Sequence, residues 1–99
     1  MSYFDYAVGH LRLAVLRALL ETPTNMLNDA LLATAVGELG LPFTRDQLRT
    51  ELGWLEEQGL IRLSRPSETL TVAALRERGA EVALGRAHVE GVQRPSIGR

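Results

Sequence analysis

The sequence is 99 residues long, with 45% hydrophobic and 23% charged residues, which is typical of one folded domain and excludes the highly charged, weakly hydrophobic class of disordered chains. Its net charge of −1 excludes a protein that binds nucleic acid mainly through a large positive excess. Cysteine is absent, which excludes disulfides, thiolate nucleophiles and thiolate metal sites.

Residues 3–21 form the first predicted helix, which stops before Pro23 because proline disfavours helical backbone in the residue that precedes it. Its apolar side chains fall in two adjacent rows, and a stripe this wide is expected to be covered on two sides. We expect the domain core to cover one side and a second copy of the chain to cover the other. The residues expected at this homodimer interface are Tyr3, Phe4, Tyr6, Leu13, Leu16 and Leu20.

A second helix is predicted to start near Asn28, whose side chain can cap the free amides of the first turn, and to end at Gly40. Asp29 lies favourably near the positive end of this helix and is expected to be an ordinary solvated charge. The four residues GLPF then form a turn.

The third helix, over residues 44–58, has the best-defined start in the sequence. Thr44 and Gln47 have the spacing of a capping box, in which each side chain bonds the other residue's backbone amide. Leucines at 48, 52 and 55 follow at helical spacing and are expected to point into the core. Gly59 ends the helix.

Two short alternating segments, LIRLS and TLTVA, are predicted to pair as a β-hairpin whose tip lies near residues 65–68. Residues 75–88 resume helical spacing, with Leu75, Val82 and Leu84 as packing residues and glycines that weaken the helix. Residues 89–99 are expected to form a mobile basic C-terminal tail.

The order of these elements predicts a mainly α domain with a small β-hairpin. Helix, helix, short turn, capped helix and hairpin together are typical of a winged helix-turn-helix. We therefore expect a three-helix core, a two-stranded wing and a C-terminal helix within residues 1–88.

Segments of the sequence are similar to known winged-helix regulators. The segment LRTELGWLEEQGLIRLS resembles the recognition helix and first wing strand of bacterial regulators such as those of the arsenical-resistance repressor type. The segment TLTVAALRERGAEVA is similar to the second wing strand and following helix of the multiple-antibiotic-resistance type.

The whole chain also resembles a family of small winged-helix proteins found in Mu-like phages and prophages. The segments that carry this resemblance are FDY at 4–6, LNDALL at 27–32, TRDQLRTELGWLEEQGL at 44–60 and GRAHVEGVQRPS at 85–96. The resemblance implies a DNA-binding or regulatory phage protein. Together with the predicted fold, it leads us to expect a DNA-binding transcriptional regulator of phage or prophage origin.

A winged helix that binds double-stranded DNA would place helix 44–58 in the major groove and let the hairpin contact the phosphate backbone. The candidate DNA-binding residues are Arg45, Gln47, Arg49 and Thr50 on the helix, with Arg62 and Arg65 on the wing. In the alternative interpretation, Arg45 and Arg49 are surface charges that pair with Asp46 or Glu56 along the helix. All eleven basic residues of the sequence are arginine, and a GC-rich coding sequence would give the same bias.

The main rival is a winged-helix module for protein–protein interaction or assembly. Acidic residues outnumber arginines by one over residues 44–69, which is unfavourable for approach to a polyanion. Trp54, the single tryptophan, lies off the leucine row. It is expected either to cover the wing or the first helix, or to contact a protein partner.

The sequence offers no catalytic pattern, so we expect neither an enzyme nor a cofactor. His10 and His88 are isolated, no spacing suits a metal, and no glycine-rich phosphate loop follows a strand. The chain lacks an apolar run near the ~20 residues of a membrane span and a basic signal-peptide start. We therefore expect a cytoplasmic protein without membrane contact.

Overall fold

A computed structural model describes residues 2–96 and shows a mixed α/β fold within them. This part of the chain contains four helices and one three-stranded antiparallel sheet, an architecture compatible with a winged helix. Its elements are, in chain order, α1 (Tyr3–Glu21), β1 (Met26–Asn28), α2 (Asp29–Gly37), α3 (Arg45–Glu57), β2 (Ile61–Ser67), β3 (Leu70–Leu75) and α4 (Glu77–Ala83). Among residues 2–96, no helix combines the length and the apolar character needed to cross a membrane.

The helix starts follow from local capping. The predicted capping box of α3 is confirmed, since the Gln47 amide donates to the Thr44 hydroxyl at 3.0 Å and the Thr44 amide donates to Gln47 Oε1 at 3.1 Å. The predicted cap of α2 is also confirmed, because Asn28 Oδ1 accepts from the Leu31 amide at 2.8 Å. Each such cap stabilises a helix start by about 1 kcal/mol.

The sheet has the order β1-β3-β2, with β3 paired on both edges. The predicted hairpin is present as β2 and β3, but its turn lies at residues 68–69, and pairing is irregular between Ser64 and Ser67. The prediction of only two strands is wrong, because residues 26–28 pair with residues 72–74 of β3. A three-residue strand is too short to show the alternation on which sequence prediction depends.

The core lies between α1 and the other elements. It includes fully buried leucines from α1, α2 and α3 together with Ile61 and Ala73 of the sheet. Leu16 is completely buried and Leu13 nearly so within this single copy of the chain. The prediction that these two residues contact a second copy is therefore wrong, since the domain itself already covers both sides of α1.

Helix α4 is shorter than the predicted helix over residues 75–88. Leu75 belongs to β3, where it pairs with Ile61, and Gly85 ends the segment in a left-handed conformation with φ of 80°. Leu84, expected to pack, is exposed. Gly79 is buried against the Leu60 carbonyl oxygen, with which a β-carbon at this position would collide. Glycine therefore permits this close approach.

The predicted mobile tail is wrong for residues 89–96. Val89 and Val92 are buried in the core, and the Gln93 amide donates to the Gly9 carbonyl at 3.1 Å. The domain boundary expected at residue 88 therefore falls inside the packed structure. The remainder of the predicted tail, residues 97–99, lies outside the described residues.

Candidate nucleic-acid interface

The candidate interface is the solvent-facing edge of α3 beside the hairpin. The helix turns Leu48, Leu52 and Leu55 into the core, as predicted, and this orientation leaves Arg45, Arg49 and Thr50 exposed. No element within residues 2–96 buries this edge. The arginines are therefore placed where a nucleic-acid backbone or base edge can reach them.

Both helix arginines are paired with one carboxylate of α2. Arg49 Nε donates to Asp29 Oδ2 at 3.0 Å, and Arg45 Nη2 lies 3.3 Å from the same oxygen. About half of each arginine side chain remains exposed, whereas the Asp29 side chain is only 1% exposed. The pairings expected along the helix, with Asp46 or Glu56, are not those observed.

Asp29 was predicted to be a solvated charge, and that prediction is wrong. Burial of its carboxylate acts to raise the pKa, but hydrogen bonds from Arg49 and Arg45 and their positive charges outweigh this effect and lower the pKa below 3.8. The group is consequently an anion at neutral pH. Its partners lie in another helix, so no local pattern at residue 29 signals the pairing.

Gln47 faces a different side of α3. Its Oε1 atom accepts a hydrogen bond from the Thr44 amide. The side chain is partly buried and lines a small cavity of about 100 Å³ with Tyr3, Phe4 and Phe43. The structure therefore does not bring Gln47 together with the two arginines. A capping box commits the side chain at this position to the helix start.

The side of α3 opposite the leucines carries Asp46, Thr50 and Glu57, all of which are exposed. Two of these three side chains are acidic. The cationic part of the helix surface is thus the flank that faces α2 and the hairpin.

The hairpin contributes one arginine to that flank. Arg65 and Arg49 line the same groove between α3 and the sheet, which has a volume of about 180 Å³ and also includes Glu68 and Thr71. Arg62 is exposed, but it precedes the groove residue Leu63, and adjacent strand residues point to opposite faces. The structure therefore links Arg49 to Arg65 through this groove and to Arg45 through Asp29, and it leaves Arg62 on the other face of the hairpin.

Glu56 fixes the hairpin relative to α3. Its Oε2 accepts a hydrogen bond from the Leu63 amide at 2.8 Å. This contact joins the last turn of the helix to β2 at Leu63, which lines the same groove as Arg49 and Arg65. No local pattern around Glu56 predicts this bond, since a backbone amide can be identified as its partner only in three dimensions.

Trp54 covers the first helix, which agrees with one of its two predicted roles. The guanidinium carbon of Arg12 lies 3.6 Å from the centroid of its ring, and a β-carbon on Gly91 would approach the ring at 3.0 Å. The indole is partly buried by α1 and by the C-terminal segment. This packing removes the exposed tryptophan on which the alternative protein contact was based.

Exposed aromatic side chains lie at the other end of α1. Tyr3, Phe4 and Tyr6 are 76%, 59% and 50% exposed, and the ring of Tyr6 packs edge-on against His10 with centroids 4.5 Å apart. Leu20, also expected at a dimer contact, is partly buried against the core. The three aromatic residues lie within the first four positions of α1 and are named here the N-terminal aromatic patch.

The arrangement is suited to binding anions. Arginines supply hydrogen-bond donors in a planar fork that matches phosphate oxygens and the guanine edge. Within residues 2–96, no group of three or more histidine or acidic side chains is arranged to hold a metal ion.

Two curated proteins are similar to the chain over most of their lengths, whereas no protein-family model matches it. It is 37% identical to the uncharacterized protein gp26 of Escherichia phage Mu over 84 aligned residues, and this alignment covers 85% of each chain. It is 35% identical to an uncharacterized protein of Haemophilus influenzae over 78 aligned residues, and this alignment covers 79% of this chain and 76% of the other.

A solved structure shares the fold. A chain reported in "The complex structure of hsRosR-S1" superposes with a TM-score of 0.64 at 18% identity, covering 85% of this chain and 67% of that one. At this identity the likeness concerns the fold alone. The similarity to the phage protein is stronger, with 37% identity over 85% of each chain. It shows that the chain belongs to the family of the phage Mu protein gp26.

Proposed function

We propose that the chain is a double-stranded DNA-binding transcriptional regulator of phage or prophage origin. Helix α3 enters the major groove, and the hairpin of β2 and β3 contacts the adjacent phosphate backbone. The observation that carries this proposal is the open flank of α3, where Arg45 and Arg49 share the Asp29 carboxylate and Arg49 lines a groove with Arg65 of the hairpin.

The contact residues divide by chemistry. Arginines on the flank bind phosphate oxygens or a guanine edge, and the exposed hydroxyl of Thr50 bonds a phosphate or a base. Arg62 lies on the opposite face of the hairpin. It contacts a phosphate only where the DNA backbone passes along that side of the wing. Gln47 does not contact DNA in this proposal, because its side chain caps the helix.

The N-terminal aromatic patch supports homodimerisation as part of this proposal. Three large aromatic side chains exposed together are unusual on a monomer surface and are enriched at interfaces. Tyr3, Phe4 and Tyr6 therefore form the contact with a second copy. Sedimentation equilibrium should give a dimer mass, and Phe4→Ser with Tyr6→Ser should give the monomer mass.

The DNA proposal is tested by recovery of fragments from the genome that encodes the protein. The wild-type chain should enrich discrete fragments, and Arg49→Glu should abolish the enrichment because it reverses the charge at the centre of the flank. Arg17→Glu is the matched control, since Arg17 is an exposed arginine of α1, outside the flank. Failure of the wild type to enrich any fragment, or equal recovery with Arg49→Glu, would overturn the proposal.

A second candidate function is a protein–protein interaction or assembly module. The observation that favours it is the acidic outward side of α3, where Asp46 and Glu57 are exposed. In that case Asp46→Asn together with Glu57→Gln weakens partner binding. If the chain instead binds DNA, the same change strengthens DNA binding, because it removes two negative charges near the phosphates.

A further inference from the structure

We infer that Asp29 is a positioning residue for sequence recognition, which holds Arg49 so that its two terminal nitrogens face a guanine in the major groove. The inference rests on the proposed function, because it concerns how the same flank would distinguish one DNA sequence from another. It assigns different roles to the two arginines that share this carboxylate.

Asp29 is fixed before any ligand arrives. It is the first residue of α2, directly after the cap formed by Asn28, and its side chain is 1% exposed. Its Oδ2 atom lies within 3.3 Å of both arginines. A buried anion held by its own helix start provides a rigid support for the more mobile arginine side chains.

The atoms that Asp29 uses on Arg49 determine what remains free. Asp29 accepts the Nε–H of Arg49 at 3.0 Å, so Nη1 and Nη2 are the donors that remain for a second acceptor. These two nitrogens form the end of the guanidinium fork that bonds the O6 and N7 atoms of guanine. Fixing the fork in advance reduces the entropy lost when it binds.

Arg45 is held differently. Its Nη2 atom forms an ion pair with Asp29 Oδ2 at 3.3 Å, so the carboxylate lies beside the terminal nitrogens that a contact with a base would use. The remaining donors suit a single phosphate oxygen better than a two-point contact with a base. Arg45 is therefore a phosphate contact, and Arg49 is the base contact.

The shared carboxylate also limits binding to DNA of arbitrary sequence. One negative charge opposes two positive charges, so the three side chains together carry a net charge of +1. Nonspecific affinity depends on the number of phosphates that are neutralised. Asp29 lowers this background while it supports the one contact that distinguishes guanine from other bases, and both effects raise specificity.

Selection from a pool of random-sequence duplexes tests the inference. Wild type should enrich a motif with a strongly preferred guanine, and the preference at that position should fall about tenfold in Asp29→Asn. The affinity of Asp29→Asn for unselected duplexes should rise at the same time. Arg49→Lys should lose the guanine preference, whereas Arg45→Lys should keep the motif and weaken binding evenly.

The outcomes separate this inference from the proposed function. If wild type enriches no motif, the DNA-binding function itself fails. If wild type enriches a motif and Asp29→Asn, shown to be folded by circular dichroism, keeps its guanine preference, Asp29 has only a structural role. Should Asp29→Asn not fold, the lysine variants decide, and a motif unchanged in Arg49→Lys overturns the inference.

Discussion

The guanidinium of Arg12 stacks on the ring of Trp54, with its central carbon 3.6 Å from the ring centroid. The same side chain donates from Nε to Glu51 at 2.8 Å and from Nη1 to the Gly91 carbonyl at 3.0 Å. One cation of α1 is thereby joined to α3 and to the C-terminal segment. This contact, together with the buried Val89 and Val92, holds residues 89–96 against the domain although they form neither helix nor strand.

Arg12→Ala should lower the free energy of unfolding by about 2–3 kcal/mol, because it removes a cation–π contact and leaves the nearly buried Glu51 carboxylate unpaired. Urea unfolding followed by circular dichroism measures the loss, and emission of Trp54 reports exposure of the indole. Arg17→Ala, the matched control on the exposed side of α1, should change stability by less than about 0.5 kcal/mol. Equal stability of the two variants would contradict the role given to Arg12.

Two glycine substitutions should have opposite effects on stability. Gly79→Ala drives a β-carbon into the Leu60 carbonyl and within 2.8 Å of the Leu75 side chain, and we expect a loss of about 2 kcal/mol or more. Gly53→Ala meets no atom within 4 Å and should stabilise α3 by about 0.5–1 kcal/mol. Thermal unfolding of both variants measures the two signs, and destabilisation by Gly53→Ala would show that α3 is not helical there.

The stability contributed by Asp29 should depend on pH. Because its pKa is lower in the folded chain than the ordinary value of 3.8, the contribution is complete at pH values above 3.8 and is lost as the pH falls through the folded-state pKa. The difference in unfolding free energy between wild type and Asp29→Asn should therefore be constant near neutral pH and shrink in acid.

A double-mutant cycle with Arg49→Met identifies the cause of that difference. On the Arg49→Met background, the effect of Asp29→Asn at neutral pH should be smaller, since one partner of the carboxylate is already absent. Denaturant titrations at a series of pH values supply all four unfolding free energies. A difference that is unchanged by Arg49→Met would assign the effect to the position of Asp29 at the start of α2.

Glu56→Ala should loosen the hairpin, because the Leu63 amide loses its carboxylate acceptor. We expect hydrogen exchange of that amide to accelerate by about tenfold, which corresponds to ~1.4 kcal/mol and lies near the lower end for a hydrogen bond to a charged group. Glu56→Gln keeps an acceptor oxygen and should restore most of the protection. Glu57→Ala, an exposed neighbour, is the control, and equal acceleration there would contradict the specific contact.

Several features of this protein were determined by the sequence alone, and each depends on residues close together in the chain. The caps at Asn28 and Thr44 act over three residues, so the starts of α2 and α3 could be placed without a fold. The leucines of α3 point inward because helical periodicity is equally local. Family membership also followed from contiguous segments, and the identity to the phage Mu protein confirms it.

Tertiary structure decided the features whose partners are distant in sequence. Asp29 pairs with Arg49 over 20 residues, and Arg12 reaches Glu51 over 39 and Gly91 over 79. No periodic pattern encodes such pairs, since they exist only once packing has brought the helices together. For this reason the charge of the candidate interface, the packed C-terminal segment and the third strand emerged only from the fold.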